Sequence, residues 1–188
     1  MEIKKNKKKN ILIGVCAGIA SYKTCELVRL LVKNDFTVKI MMTEPATKFV
    51  SPLVFGELSK NPVYLDMFEP KRIDAVEHIA LAEWASLCVI VPATANTISK
   101  IACGIADNLV TTVICALPKD TKVLIVPAMN ENMWKNEIIQ ENILKLKKLQ
   151  KYVFLEPTKG ELLCGAYGDG RLPQPEDIYK KILKLIHK

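Results

Sequence analysis

The stretch from Leu87 to Asn108, LCVIVPATANTISKIACGIADN, sets the terms for the rest of the chain. Its opening run, Leu87 to Val91, is uniformly apolar, too short for a helix and closed by Pro92. Such a run reads as a strand buried on both faces. Pro92 has no N–H to give a sheet ladder, so the strand is expected to stop there. Ala93-Thr94-Ala95-Asn96-Thr97 then supplies small, hydroxyl and amide side chains, and a helical pattern starts at Ile98. A strand that enters a helix through a turn of small residues is half of a β-α-β unit, and such folds bind ligands at the carboxyl ends of their strands. Small side chains let a flat ring approach the backbone, and Thr and Asn offer hydrogen bonds. The same turn also reads as an ordinary junction with a Thr or Asn helix cap.

The alternation recurs along the chain. Asn10 to Val15, Phe36 to Met42, Lys122 to Val126 and Tyr152 to Leu155 read as further strands. Tyr22 to Val32, Ser51 to Lys60, Leu81 to Ala85, Asp107 to Ala116, Glu137 to Gln150 and Glu176 to Ile186 read as helices. This order predicts a single α/β domain over 10–188, Rossmann-like and flavodoxin-like, with an open parallel sheet and helices on both faces. Residues 1–9 read as a basic, disordered tail. That start, followed by ILIGVCAGIA, has the outline of a signal peptide. Its apolar run, however, leads straight into a glycine turn and an amphipathic helix, so the first core strand is the better reading. No uncharged apolar run is long enough to span a bilayer.

The net charge of +7 sits at the two ends of the chain. Residues 1–10 hold five Lys and one Glu, residues 178–188 hold four Lys, and the body between sums to −1. No basic stripe with interleaved aromatics is present, which argues against a nucleic-acid partner. The six Cys, at 16, 25, 88, 103, 115 and 164, form no CxxC pair, and there are only two His, so no metal site is expected. Five of the six fall in apolar patterns, as small hydrophobes do. Reduced thiols of this kind point to the cytoplasm.

Candidate site residues collect at the turns. Cys16-Ala17-Gly18-Ile19-Ala20-Ser21 opens a helix whose first amides suit an anion, although the turn is neither a Walker loop nor GxGxxG. Thr43 follows the second strand as a helix cap, with Pro45 in the first turn. His78, just ahead of a short helix, is the only His outside the C-terminal tail and the natural general base near neutral pH. In PAMNENMW, Asn130 suits a carboxylate, and Met133 and Trp134 suit an apolar wall; a turn with core Met and Trp is the plain alternative. Gly160 to Pro173 has four glycines in fourteen residues, is not expected to form a regular element, and reads as a lid. Cys164 within it is the thiol best placed for chemistry.

Together, PATANTISKIACGIADNL, PAMNENMW, the His78–Ile79 pair and the CGAYGDGR loop resemble the homo-oligomeric flavin-containing Cys decarboxylases. The resemblance covers roughly residues 10 to 180 and lies nearest the branch acting on 4'-phosphopantothenoylcysteine in coenzyme A biosynthesis. It implies an FMN cofactor, with Gly18, Ile19, Ser21 and Thr43 at its phosphate and ribityl chain and Thr94, Ala95, Asn96, Thr97 and Ala128 against the flavin. It implies His78 as catalytic base, Asn130 at the substrate carboxylate, and Met133, Gly165 and Arg171 as further substrate contacts. Cys164 is then the acid that protonates the intermediate. The implied reaction oxidises the cysteinyl thiol to a thioaldehyde, releases carbon dioxide and re-reduces the enethiolate, giving 4'-phosphopantetheine. The resemblance also implies a trimer, or a dodecamer of trimers, with the active site at a subunit contact. The phosphopantothenate–cysteine ligase that is fused to many relatives is expected here as a separate protein. Cys16-Ala17 replaces the usual Thr-Gly, and Leu163, Ala166 and Leu172 depart from the usual clamp. The rival readings are a peptidyl-cysteine decarboxylase of lantibiotic maturation, a flavin prenyltransferase and a non-catalytic FMN-binding regulatory protein. The CGAYGDGR loop argues against the first. PAMNENMW and Cys164 do not suit the second, and His78, Asn130 and Cys164 together argue against the third. A generic nucleotide-binding module is the reading left outside the resemblance.

Overall fold

Six short apolar runs become the strands of one parallel sheet. The computed structural model describes residues 10–66, 77–161 and 167–186; the expected basic tail, 1–9, lies outside them. The strands are β1 (Asn10–Val15), β2 (Thr37–Met42), β3 (Val63–Tyr64), β4 (Leu87–Ala93), β5 (Lys122–Pro127) and β6 (Tyr152–Phe154). Their order is β3-β2-β1-β4-β5-β6, and every pairing is parallel. Parallel strands covered on both faces must be apolar throughout. All seven residues of β4 are buried, as are five of the six in β1 and in β5.

Helices cover both faces. On one lie α1 (Ser21–Lys33), α2 (Pro52–Ser59) and the final helix α8 (Pro175–Ile186), and Leu27, Val28, Leu31, Phe55, Ile178 and Ile182 pack there against Ile13, Ile40, Val89 and Leu124. On the other lie α3 (Glu77–Trp84), α4 (Ala95–Cys103), α5 (Leu109–Ala116) and α7 (Glu137–Lys147), closing over Leu12, Met41, Ile90 and Ile125. Between β5 and α7 stands one helical turn, α6 (Glu131–Trp134). Strand order reverses direction between β1 and β4, and there the turns splay apart into a crevice.

Several elements differ from the sequence expectation. β4 runs through Pro92 to Ala93, with the β4–β5 register shifting between Ile90 and Ala93. The missing N–H falls where the ladder skips, and the Pro92 carbonyl accepts from the Cys16 N–H at 3.3 Å. α4 begins at Ala95, three residues before the apolar period shows it, because Thr94 caps it. α5 starts at Leu109 rather than Asp107, with Asn108 as its cap, its Oδ1 accepting the Thr111 N–H at 3.1 Å, while Asp107 pairs with Lys100 at 2.6 Å. His78 lies inside α3, whose start carries an acid, Glu77, against the helix dipole. Thr43 holds the cap position of a 3-10 turn, Glu44–Lys48, but makes no side-chain capping bond. The described residues of the glycine-rich segment take part in a two-stranded antiparallel ribbon, β7 (Thr158–Glu161) with β8 (Tyr167–Arg171), rather than irregular loop.

Leu27 is fully buried where α1 meets the sheet. Leu27→Ala is expected to cost about 2–5 kcal/mol, because the packed strands beneath cannot close the space left behind. Urea denaturation followed by circular dichroism checks this.

Candidate functional site

Three turns and the ribbon wall a crevice of about 670 Å³ at the carboxyl end of the sheet. The turn after β1 contributes Ala17, Gly18, Ile19 and Ala20, and the first turn of α1 adds Tyr22 and Lys23. Ser21 is fully buried and folds back, its hydroxyl donating to the Gly18 carbonyl at 2.6 Å and the Cys16 carbonyl at 3.1 Å. A side chain built on Gly18 would meet nothing within 4 Å, so that backbone is open to whatever occupies the crevice. The turn after β4 contributes Pro92, Thr94 and Ala95. Thr94 Oγ1 accepts the Thr97 N–H at 3.2 Å and lies 3.1 Å from Thr97 Oγ1, so Thr97 stands buried behind the wall.

The turn after β5 brings Ala128, Met129, Asn130 and Met133. Asn130 Oδ1 accepts the Asn132 N–H at 2.8 Å. A carboxylate would therefore meet the Asn130 NH2 group, which is the donor it needs. Met133 is about half exposed at the rim, whereas Trp134 is partly buried and packs against the core.

The ribbon supplies Gly170, Arg171 and Leu172, and its glycines are explained by close approach. Gly170, at φ +133°, puts its Cα against the Met129 carbonyl, where no Cβ fits, and its own carbonyl accepts the Met129 N–H at 3.0 Å. A Cβ on Gly168 would collide with the Glu131 carboxylate. A Cβ on Gly160 would stand 2.9 Å from Arg171 Cδ, so the arginine side chain lies across a bare backbone. Burial, then the nearby Arg171 charge, holds Lys23 below the usual lysine range. Two cations thus serve the crevice beside the start of α1, an arrangement suited to an anion.

Of the residues singled out from sequence, Gly18, Ile19, Thr94, Ala95, Ala128, Asn130, Met133 and Arg171 line this crevice. Ser21, Thr43, Asn96 and Thr97 do not; Asn96 is exposed on α4. His78 is not in its wall either. α3 leads directly into the start of β4, and the Trp84 carbonyl accepts from Asn10 Nδ2 at 3.1 Å at the amino end of β1. The first turn of α3, with His78, therefore points toward the carboxyl end of the sheet, although His78 is not among the residues that line the crevice. Cys164 and Gly165 lie outside the described residues. Lys23 was missed by the sequence reading, although a Lys two residues past a turn that suits an anion is a legible signal.

A second cavity, about 1010 Å³, opens at the opposite end of the sheet, around Ser86, Lys122 and Tyr152. It is larger but lies away from the switch in strand order, so the smaller crevice is the better candidate site. Among the described residues no cluster of His, Cys, Asp and Glu could hold a metal, and no helix is long and apolar enough to cross a membrane. The described cysteines are free. Only Cys16 and Cys88 are fully buried; Cys103 and Cys115 are exposed, contrary to their apolar sequence setting. Each sits on the outward side of its helix. Burial pushes the Cys16 thiol up to about 11 and the Cys88 thiol to about 12.

Comparison with known proteins agrees with this geometry. The Flavoprotein family model matches residues 2–187. The chain is 48% identical over 178 residues to the coenzyme A biosynthesis bifunctional protein CoaBC of Borreliella burgdorferi, covering 95% of this chain and 45% of that protein. It thus spans less than half the length of that bifunctional relative. It is 41% identical to a Streptococcus mutans protein named probable phosphopantothenoylcysteine decarboxylase, covering 93% of this chain and 97% of the relative. Among solved structures, a PPC decarboxylase Cys-to-Ser variant complexed with pantothenoylaminoethenethiol superposes with a TM-score of 0.84 at 29% identity, covering 95% and 98% of the two chains. The FMN-binding protein AtHal3 gives 0.80 at 30% identity, covering 94% and 96%.

A thiol reagent applied to the native protein at neutral pH is expected to label Cys103 and Cys115 and to leave Cys16 and Cys88 unmodified until the protein is unfolded, because the thiolate is the reacting form. Peptide mapping by mass spectrometry reads this out. Gly170→Ala is expected to undock the ribbon from the Asn130 turn, which amide hydrogen exchange at Met129 would register as lost protection.

Proposed function

We propose that this chain, which belongs to the Flavoprotein family, catalyses FMN-dependent decarboxylation of 4'-phosphopantothenoylcysteine to 4'-phosphopantetheine. One observation carries the reading: a crevice at the strand-order switch sets the Asn130 turn and the Arg171 ribbon against turns of small residues. It does so in a chain alike over nearly its whole length to a probable phosphopantothenoylcysteine decarboxylase.

The crevice fits the cofactor. Its volume lies in the ordinary range for small-molecule sites, about 300–1,000 Å³. Ala17, Ala20, Ala95 and Ala128 stop at Cβ and Gly18 has none, so a flat ring can lie close to the backbone. Lys23 and the start of α1 suit a phosphate. Bound FMN supplies a reversible electron sink that no amino-acid side chain provides.

The residues take separate tasks. Asn130 donates its NH2 to the substrate carboxylate and orients it for departure. Met133 covers the apolar part of the substrate. Arg171, braced over Gly160, holds an anionic end of the substrate. His78 takes the thiol proton, reaching the crevice from an adjoining copy of the chain; the half-exposed Ile19, Tyr22 and Met133 at the rim suit such a subunit contact. Cys164 returns a proton to the enethiolate. The net reaction is redox-neutral, so no outside electron donor is needed. A homo-oligomer, trimeric or dodecameric, follows from the shared site. The ligase that makes the substrate acts before it, and free thiols fit a reducing cytoplasm.

The purified protein is expected to show the yellow flavin absorption and to convert phosphopantothenoylcysteine to phosphopantetheine, followed by carbon dioxide release and product mass. A colourless protein that FMN cannot reconstitute would end the proposal. His78→Asn is expected to lower kcat about 10²–10⁴-fold, the usual loss on removing a general base. Cys164→Ser is expected to retain FMN and release carbon dioxide but to accumulate the enethiol; full product formation would remove Cys164 from the mechanism. The relative that holds pantothenoylaminoethenethiol as a Cys-to-Ser variant supports this assignment.

A further inference from the structure

We propose that Glu131 is a positioning residue: its carboxylate ties the β7–β8 ribbon to the Asn130 turn, so that the two facing walls of the crevice keep one spacing. Asn130 and Met133 stand on one wall, and Gly170 and Arg171 on the other. Glu131 sits between Asn130 and Met133 in sequence but faces the ribbon. Its carboxylate rests where a side chain on Gly168 would be and faces the Asp169 N–H. Asp169 and Gly168 immediately precede the wall residues. A second tie runs alongside, from the Met129 N–H to the Gly170 carbonyl at 3.0 Å.

Charge keeps the tie closed at neutral pH. Lys135, one turn along, bonds Glu131 Oε1 at 2.6 Å, and with the Asp169 N–H and the Lys159 charge on β7 it holds the carboxyl below the usual range for glutamate. The Asp169 side chain also lies near Lys135, whose charge it favours. Lys135 thereby fixes the carboxylate rotamer, and the carboxylate fixes the ribbon. The bare Cα of Gly168 is the counterpart surface: only glycine leaves room for the carboxylate to reach the backbone N–H behind it.

The first test uses amide hydrogen exchange on the whole protein. Glu131→Ala is expected to speed exchange at Asp169 about tenfold while leaving β4 and β5 unchanged, because the opening is local. Glu131→Gln, whose amide oxygen still faces the N–H, is expected to stay within about threefold of the parent. Gly168→Ala is expected to reproduce the Glu131→Ala effect in the parent and to add nothing in the Glu131→Ala background, since the two act on one contact. Unchanged Asp169 exchange in Glu131→Ala, or additive effects in the double variant, would overturn the proposal. The second test is kinetic and rests on the decarboxylase reading: KM for phosphopantothenoylcysteine is expected to rise about tenfold in Glu131→Ala, with kcat within about twofold, and to recover in Glu131→Gln. A fall in kcat at constant KM would also overturn it. If the parent turns over no substrate, the functional reading fails, and hydrogen exchange alone decides the role of Glu131.

Discussion

The whole arrangement hangs on one strand that water never reaches. β4 is buried along its full length, with helices α3, α4 and α5 above it and α1 and α8 below. A strand in that position has its ladder satisfied by β1 on one side and β5 on the other. Its carboxyl end is therefore held rigidly at the middle of the sheet, where the neighbouring crossovers diverge. Pro92 and Thr94 emerge there, and the turns after β1 and β5 flank them. Binding residues on loops gain their accuracy from such a scaffold.

Residue size decides what the crevice can admit. Around the turns the side chains are mostly small, which leaves backbone within reach of a planar ligand. On the ribbon, bare Cα atoms serve the protein itself, letting the Met129 carbonyl, the Glu131 carboxylate and the Arg171 side chain press against the chain. Absent side chains thus do two different jobs a few ångströms apart. The first leaves room for a ligand, and the second welds one wall of the site to another.

Chemistry-bearing groups are distributed unevenly around this frame. The amide of Asn130 and the charges of Lys23 and Arg171 converge within one chain, whereas His78, on α3, does not line the crevice. Fully buried Cys16 and Cys88 have thiols raised out of the reactive range.

The parallel sheet, the helices that cover it and the crevice-lining turns were legible in the sequence, because apolar period, residue size and capping chemistry are local properties of the chain. PATANT and PAMNEN announced their place at strand ends by composition alone. The helix starts at Ala95 and Glu77 and the passage of β4 through Pro92 were misread by a few residues, since capping bonds and a ladder shift depend on neighbours. Only the tertiary structure decided the rest. The sequence shows four glycines between Gly160 and Pro173 and leaves them as a flexible loop, but three of them are there because a carbonyl, a carboxylate and a guanidinium side chain lie against them. Likewise the absence of His78 from the crevice wall follows from where α3 runs relative to the strand ends, which its sequence does not show. Contacts between segments distant in sequence leave no periodic trace, and so they become visible only once the chain has been folded.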